Sequence, residues 1–280
     1  MDLDLFVGGL TAGSLYALVA MGFNILYRPT NVFNFAQGDL VMLGAMLGAT
    51  VMTVLGMPWF VGAALAMLAV AVLAFIEERI AVAPVLNRSA TGHGWVITTL
   101  AVSMIFANLV GLAWGPDPIA VKPPAPLSTE TFDLLGANVS SYQIAIVVLT
   151  LALILGVEAF YGTRAGKAVL AAAEDRDAAL RTLLGQAAGT MTGVLAAPLL
   201  YASTGLGPAL LLKGFAAAAV GGIGNNRGAL LAGYIIGIAE ALAAAVLSPG
   251  YQLAATFAVM LVILLIRPHG LFGRAEARAV

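Results

Sequence analysis

Stretches of about 20 apolar residues recur along the whole chain, and that is the length an α-helix needs to cross the hydrocarbon core of a bilayer. They fall at 5–27, 39–56, 58–76, 95–114, 141–161, 183–201, 209–224, 229–247 and 252–266, the seventh being short. Hydrophobic residues fill 61% of the 280 positions and charged residues only 10%, where a soluble chain spends about a quarter of its residues on charge. The mean hydropathy is +0.99, so most of the surface must face something other than water. The predicted fold class is all-α: a polytopic integral membrane helical bundle of about 8–9 spans in membrane lipid, forming one domain over 1–280.

Several classes are excluded at once. A net charge of −1 provides no electrostatic footprint for nucleic acid. The absence of Cys removes disulfides, thiolate metal sites and cysteine nucleophiles. His93 and His269 are single and far apart, so no metal site is expected. Tyr161-Gly162-Thr163-Arg164-Ala165-Gly166-Lys167-Ala168 misses a phosphate-binding loop at both ends, and Gly221-Gly222-Ile223-Gly224 lacks dinucleotide-loop spacing. Met1-Asp2-Leu3-Asp4 is acidic and no cleavage-site pattern follows, so the first span is expected to stay in the mature protein.

The basic residues orient the bundle. With nine crossings and the N-terminus outside, Arg28, Arg79, Arg88, Arg164, Lys167, Arg176, Arg181, Arg227, Arg267, Arg274 and Arg278 fall inside. Lys122 and Lys213 are left outside or near that interface. The expectation is N-out, C-in.

Polar groups inside such a chain are informative, because an unsatisfied one in hydrocarbon costs several kcal/mol. Asn31-Val32-Phe33-Asn34-Phe35-Ala36-Gln37-Gly38-Asp39 joins the first two spans, and Asn31, Asn34, Gln37 and Asp39 are candidates for a translocation path or gate. A plainer role is to cap a helix beginning at Asp39. Gly221 to Arg227 stands before a second, similar span, with Gly233/Gly237 answering Gly44/Gly48 and proline turns closing both. This pattern predicts a parallel internal repeat, which pairs Asn225 and Asn226 with the first cluster. Glu240 lies near the middle of the 229–247 span, where an ionised acid costs about 2.5–3.5 kcal/mol; a functional site and a structural hydrogen bond both fit it. Asp39, Glu158 and Lys213 fall nearer the interfaces, where solvation or snorkelling accounts for them. Gly185, Gly189 and Gly193 place a smooth packing face on the sixth span.

Two loops interrupt the spans. Residues 115–140 carry five prolines and read as an extended external loop, either a contact for a soluble partner or a spacer. Residues 162–182 are cytoplasmic in this orientation, and 167–181 combine strong helix formers with both signs of charge. An amphipathic surface helix is expected there, its apolar face suited to lipid or to a groove on another protein.

Gly13-Ser14-Leu15-Tyr16-Ala17-Leu18, Asn34-Phe35-Ala36-Gln37-Gly38-Asp39, Gly221-Gly222-Ile223-Gly224 and Arg267-Pro268-His269-Gly270-Leu271-Phe272-Gly273 occur in this order. Together they resemble the LivH-type permease of bacterial branched-chain amino acid ABC transporters, over nearly the whole chain. The resemblance implies an inner-membrane permease, not itself an enzyme, that works by alternating access. It implies a LivM-like second permease, LivG/LivF-like ATPase subunits, and a periplasmic amino-acid-binding protein that delivers leucine, isoleucine or valine. No cofactor is expected in this chain, since ATP is bound by the partners. It further implies that Ala172, Ala173, Glu174, Asp175, Arg176, Ala178 and Ala179 belong to a coupling helix docked on the ATPase. An ABC permease for urea, short amides or sugars, or a stand-alone secondary transporter or channel using Glu240, are the competing readings. Between Leu180 and Gly193 the chain is shorter than the family pattern by about two to three helical turns. The sixth span then begins abruptly at Leu183, is partly re-entrant, or reflects a deletion that impairs activity.

Overall fold

The computed structural model describes residues 3–30, 33–88, 94–134, 136–164, 166–167 and 178–273. Each of the nine apolar stretches lies largely on a helix. In order these are α1 (Leu3–Thr30), α2 (Gln37–Thr53) and α3 (Trp59–Glu77), which runs through a π-helical turn into α4 (Ala83–Arg88), then α5 (Gly94–Trp114). There follow α6 (Ser141–Gly162), α7 (Ala178–Leu200), α8 (Leu206–Gly221), α9 (Asn226–Val246) and α10 (Gln252–Ile266). Among the described residues, six helices are long and apolar enough to cross a membrane: Leu3–Tyr27, Trp59–Val85, Gly94–Trp114, Ser141–Gly162, Asn226–Val246 and Pro249–Ile266. α2 and α8 are shorter, at 17 and 16 residues. α7 is 23 residues long but interrupts its apolar residues with Gly, Thr and Gln.

α1 and α2 form the centre. Leu15 to Met21 of α1 and Gln37 to Met46 of α2 are buried, while α5 and α10 expose Ile97, Leu112 and Leu265 outward, as lipid-facing helices do. α1 packs most extensively on α9, and α2 on α7 and α3. Between apolar helices in lipid, close approach rather than water exclusion supplies the attraction, and small residues permit it. At the antiparallel α1–α9 crossing, Gly9 meets Gly237 and Gly13 meets Gly233. A Cβ on Gly237 would stand 2.2 Å from the Gly9 carbonyl oxygen. In α2, Gly44 abuts Thr190 and Gly48 faces Val194. Gly185, Gly189 and Gly193 of α7 meet Leu26, Gln37 and Val41, so that face is used for packing.

Two segments refine the sequence reading. α7 runs without a break from Ala178 to Leu200, so Leu183 lies inside a helix. The 115–140 segment holds a hairpin that the sequence reading did not anticipate: β1 (Thr131–Leu134) and β2 (Ala137–Ser140) pair antiparallel, Thr131 opposite Ser140. Gly136 supplies the positive φ of +83° at its turn. Ser140 then caps α6 in a capping box with Gln143. Ile119, earlier in the segment, exchanges backbone hydrogen bonds with Ala202 at 2.8 and 3.0 Å, which anchors the proline-rich chain to the α7–α8 connection.

Candidate translocation elements

The polar segment before α2 is built into the bundle. The Asn34 Oδ1 accepts the Ala36 N–H at 2.9 Å and its Nδ2 donates to Glu77 Oε1 of α3 at 2.7 Å. α2 begins at Gln37, and Ala36 at its N-cap has no side-chain capping bond. Asp39 therefore stands in the first turn of α2, where a negative group suits the positive helix end. Only 1% exposed, it accepts a hydrogen bond from the Ser103 hydroxyl of α5. Solvation at an interface does not account for Asp39, contrary to the sequence expectation.

Gln37 is fully buried, its amide against Gly22 of α1 and Gly189 of α7, with neither amide atom hydrogen-bonded. Gly22 precedes the end of α1 by roughly 12 Å at about 1.5 Å per residue, so the start of α2 lies well inside the bundle. Aromatic side chains seat the segment: Phe33 stacks on Tyr27 at 4.6 Å and meets Phe215 edge-on at 5.3 Å. Asn31 lies outside the described residues.

Asn225 and Asn226 sit on different supports. The Asn225 side chain caps α9, accepting the Gly228 N–H at 3.0 Å, and donates to the Phe272 carbonyl at 3.3 Å. Asn226 is buried with both amide atoms unpartnered. The turn between α8 and α9 uses Gly222 and Gly224 at φ +96° and +83°, and the Gly224 N–H donates to Asn24 Oδ1 at 2.8 Å. Leu271 and Phe272 donate N–H groups to the carbonyls of Val220 and Gly221 at 2.8 and 3.2 Å. Two distant motifs, Gly221–Gly224 and Arg267–Gly273, thus close into one latch. Among the described residues no hydrogen bond joins this latch to Asn34, Gln37 or Asp39.

Glu240 is the hub of a third cluster. Its Oε2 accepts from the Tyr16 hydroxyl at 2.6 Å and from Lys213 Nζ at 2.9 Å, and its Oε1 accepts from the Thr256 hydroxyl. Lys213 also donates to the Tyr16 oxygen at 3.0 Å. Four helices, α1, α8, α9 and α10, meet through these side chains. Lys213, expected at an interface in contact with water, is instead the counter-ion of Glu240, because an ion pair in a low-dielectric interior tolerates burial only when both charges are otherwise hydrogen-bonded. The side chains are 16% and 4% exposed. Beside them opens a cavity of about 570 Å³ between α1, α8 and α9. The Glu158 Oε2 lies 3.8 Å from the exposed Arg227.

Sequence reasoning had passed over Glu77, Ser103, Tyr16, Thr256, Asn24 and the role of Lys213. Opposite charges in consecutive apolar spans were a usable signal for Lys213 and Glu240. A lone hydroxyl such as Ser103 or Thr256 gave none. Of the expected coupling residues, Ala172, Ala173, Glu174, Asp175 and Arg176 lie outside the described residues, and Ala178 and Ala179 open α7. Among the described residues no three His, Asp or Glu side chains converge to hold a metal.

Residues 5–265 match the family model described as the permease component of branched-chain amino acid transport systems. The chain is 31% identical over 303 aligned positions to the high-affinity branched-chain amino acid transport system permease protein BraD of Pseudomonas aeruginosa, covering 99% of this chain and 98% of that one. It is 30% identical to the Escherichia coli K12 permease LivH, with 97% and 96% covered. It is 28% identical to a probable LivH of Methanocaldococcus jannaschii, with 95% and 91% covered. The BraD alignment is longer than the 280-residue chain, so some of its positions have no counterpart here. A solved structure, PsaBC from Streptococcus pneumoniae in complex with Fab, is similar in fold at a TM-score of 0.52 and 14% identity, covering 94% of this chain and 91% of that one. A helical membrane bundle with these motifs, matched along nearly its whole length, belongs to the branched-chain amino acid transport permease family, as a LivH-type member.

Proposed function

We propose that this chain is the LivH-like permease subunit of an ATP-driven importer in the bacterial inner membrane, translocating leucine, isoleucine or valine. The observation that carries the reading is the match to BraD, whose alignment spans 98% of that permease's length. A LivM-like permease completes the path, LivG/LivF-like subunits bind and hydrolyse ATP, and a periplasmic binding protein delivers the amino acid. This chain itself carries no cofactor. The 162–182 segment couples it to an ATPase, and rigid motion of the helices alternates access.

Nine crossings with the N-terminus outside and the C-terminus inside fit the distribution of Lys and Arg, and a parallel repeat relates the α2 and α9 entries. Gln37 and Asn226 support a path or gate role, since buried amides with no partner in the bundle are the groups a passing solute or water satisfies. Asn34 and Asp39 position the same region through Glu77 and Ser103.

The test is uptake of labelled leucine into proteoliposomes holding the co-purified complex. Uptake should require internal ATP and external binding protein. Uptake that persists without the ATPase subunits and collapses with the proton gradient would refute the reading and favour a secondary transporter built on Glu240.

A further inference from the structure

We infer that the cavity beside Lys213 and Glu240 is a resting site for the transported amino acid within the membrane, an inference that rests on the import function proposed above. Its volume of about 570 Å³ falls inside the range of small-molecule pockets, about 300–1,000 Å³. Its walls divide by chemistry. Leu5, Ala12, Leu206 and Leu210 offer an aliphatic surface, while Lys213 and Glu240 present opposite charges 2.9 Å apart. An aliphatic zwitterion has the same division.

The hydrogen-bond inventory leaves room for such a ligand. A lysine ammonium has three N–H donors, and Lys213 directs two of them to Tyr16 and Glu240. The third is free for a carboxylate. Each carboxylate oxygen has two acceptor directions, and Glu240 Oε1 uses one of its two, on Thr256. The other takes an ammonium. A zwitterion binds there without changing net charge, which avoids the cost of burying an isolated ion. A purely structural pair would be sealed, yet Lys213 keeps part of its side chain open and both residues line the cavity. Gly8 lines it too, with open space where a side chain would stand.

The experiment measures equilibrium binding of labelled leucine to the complete wild-type membrane complex in nanodiscs, without the binding protein, alongside ATP-driven uptake. Saturable binding is expected, competed by leucine but at least tenfold more weakly by leucinamide, which lacks the carboxylate, and by 4-methylpentanoate, which lacks the ammonium. Ala209→Trp fills the cavity from its α8 wall, one turn from Lys213, and should weaken binding at least tenfold with the complex intact. Lys213→Met should do the same and Lys213→Arg should restore binding. Absence of saturable binding to the wild type, or leucine binding unchanged in Ala209→Trp, overturns the inference and leaves the ion pair as a structural staple. If wild-type uptake is normal in that case, the import function stands; if the wild type takes up no branched-chain amino acid with ATP, both fall.

Discussion

Gly237→Ala tests the close crossing of α1 and α9. The added Cβ would lie 2.2 Å from the Gly9 oxygen, 2.5 Å from the Gly13 nitrogen and 2.7 Å from the Gly13 Cα, all backbone atoms that no rotamer change can clear. Ordinary contact begins near 3.4 Å, so α1 and α9 must part locally by about 1 Å. A gap of that size forfeits about a quarter to a half of the dispersion energy across the contact, and overpacking of this kind costs about 1–3 kcal/mol. The same shift pulls Tyr16, one turn from Gly13, away from Glu240, one turn from Gly237. Their 2.6 Å bond is of the charged class that contributes about 1.5–3 kcal/mol. The gain in helix propensity on replacing Gly offsets about 1 kcal/mol, so a net loss of about 1.5–5 kcal/mol is expected. Gly8→Ala is the matched control: it lies on α1, next to Gly9, with nothing within 4 Å of its would-be Cβ, and should be neutral or slightly stabilising. Thermal denaturation of the purified protein in detergent, followed by tryptophan fluorescence, reads both. A Gly237→Ala protein that melts at or above the wild type and the Gly8→Ala control refutes the packing argument.

Three further outcomes are expected. Ser103→Ala removes the hydroxyl donor of buried Asp39 and should destabilise by about 1–3 kcal/mol; a Ser103→Ala protein as stable as the wild type in the same melt counts against that contact. Gly270→Ala places a Cβ 2.6 Å from the Ala219 oxygen and forces an alanine to φ +76°. The latch should open, seen as faster chymotryptic cleavage after Phe272, and an unchanged cleavage rate argues against it. Glu174→Lys combined with Asp175→Lys should uncouple ATP hydrolysis from uptake without loss of membrane insertion, and normal uptake would remove the coupling assignment.

The spans were legible because hydrocarbon imposes a length and an apolar composition on each helix separately, and that signal needs no knowledge of neighbours. Their boundaries were less so. Leu183 did not read as the interior of a helix because the Gly, Thr and Gln residues of α7 blur its apolar signal. The hairpin at 131–140 escaped notice because its strands are four residues each and follow a run of prolines. Within the candidate sites, the amides and carboxylates were visible as residues out of place in lipid, whereas their partners were not. Glu77 reaches Asn34 from 43 positions away, and Ser103 reaches Asp39 from 64.

By itself the sequence determined a membrane-embedded helical chain, its glycine packing faces and its family. Those follow from local composition and from ordered motifs. Only the tertiary structure decided that Lys213 neutralises Glu240, that Asp39 is sealed against Ser103, and that the C-terminal Arg267–Gly273 segment closes on the turn between α8 and α9. Each joins segments far apart in the chain, and which polar groups meet is set by how the helices cross. Charge and hydrogen-bonding capacity are properties of a residue; whether they are satisfied is a property of its neighbours.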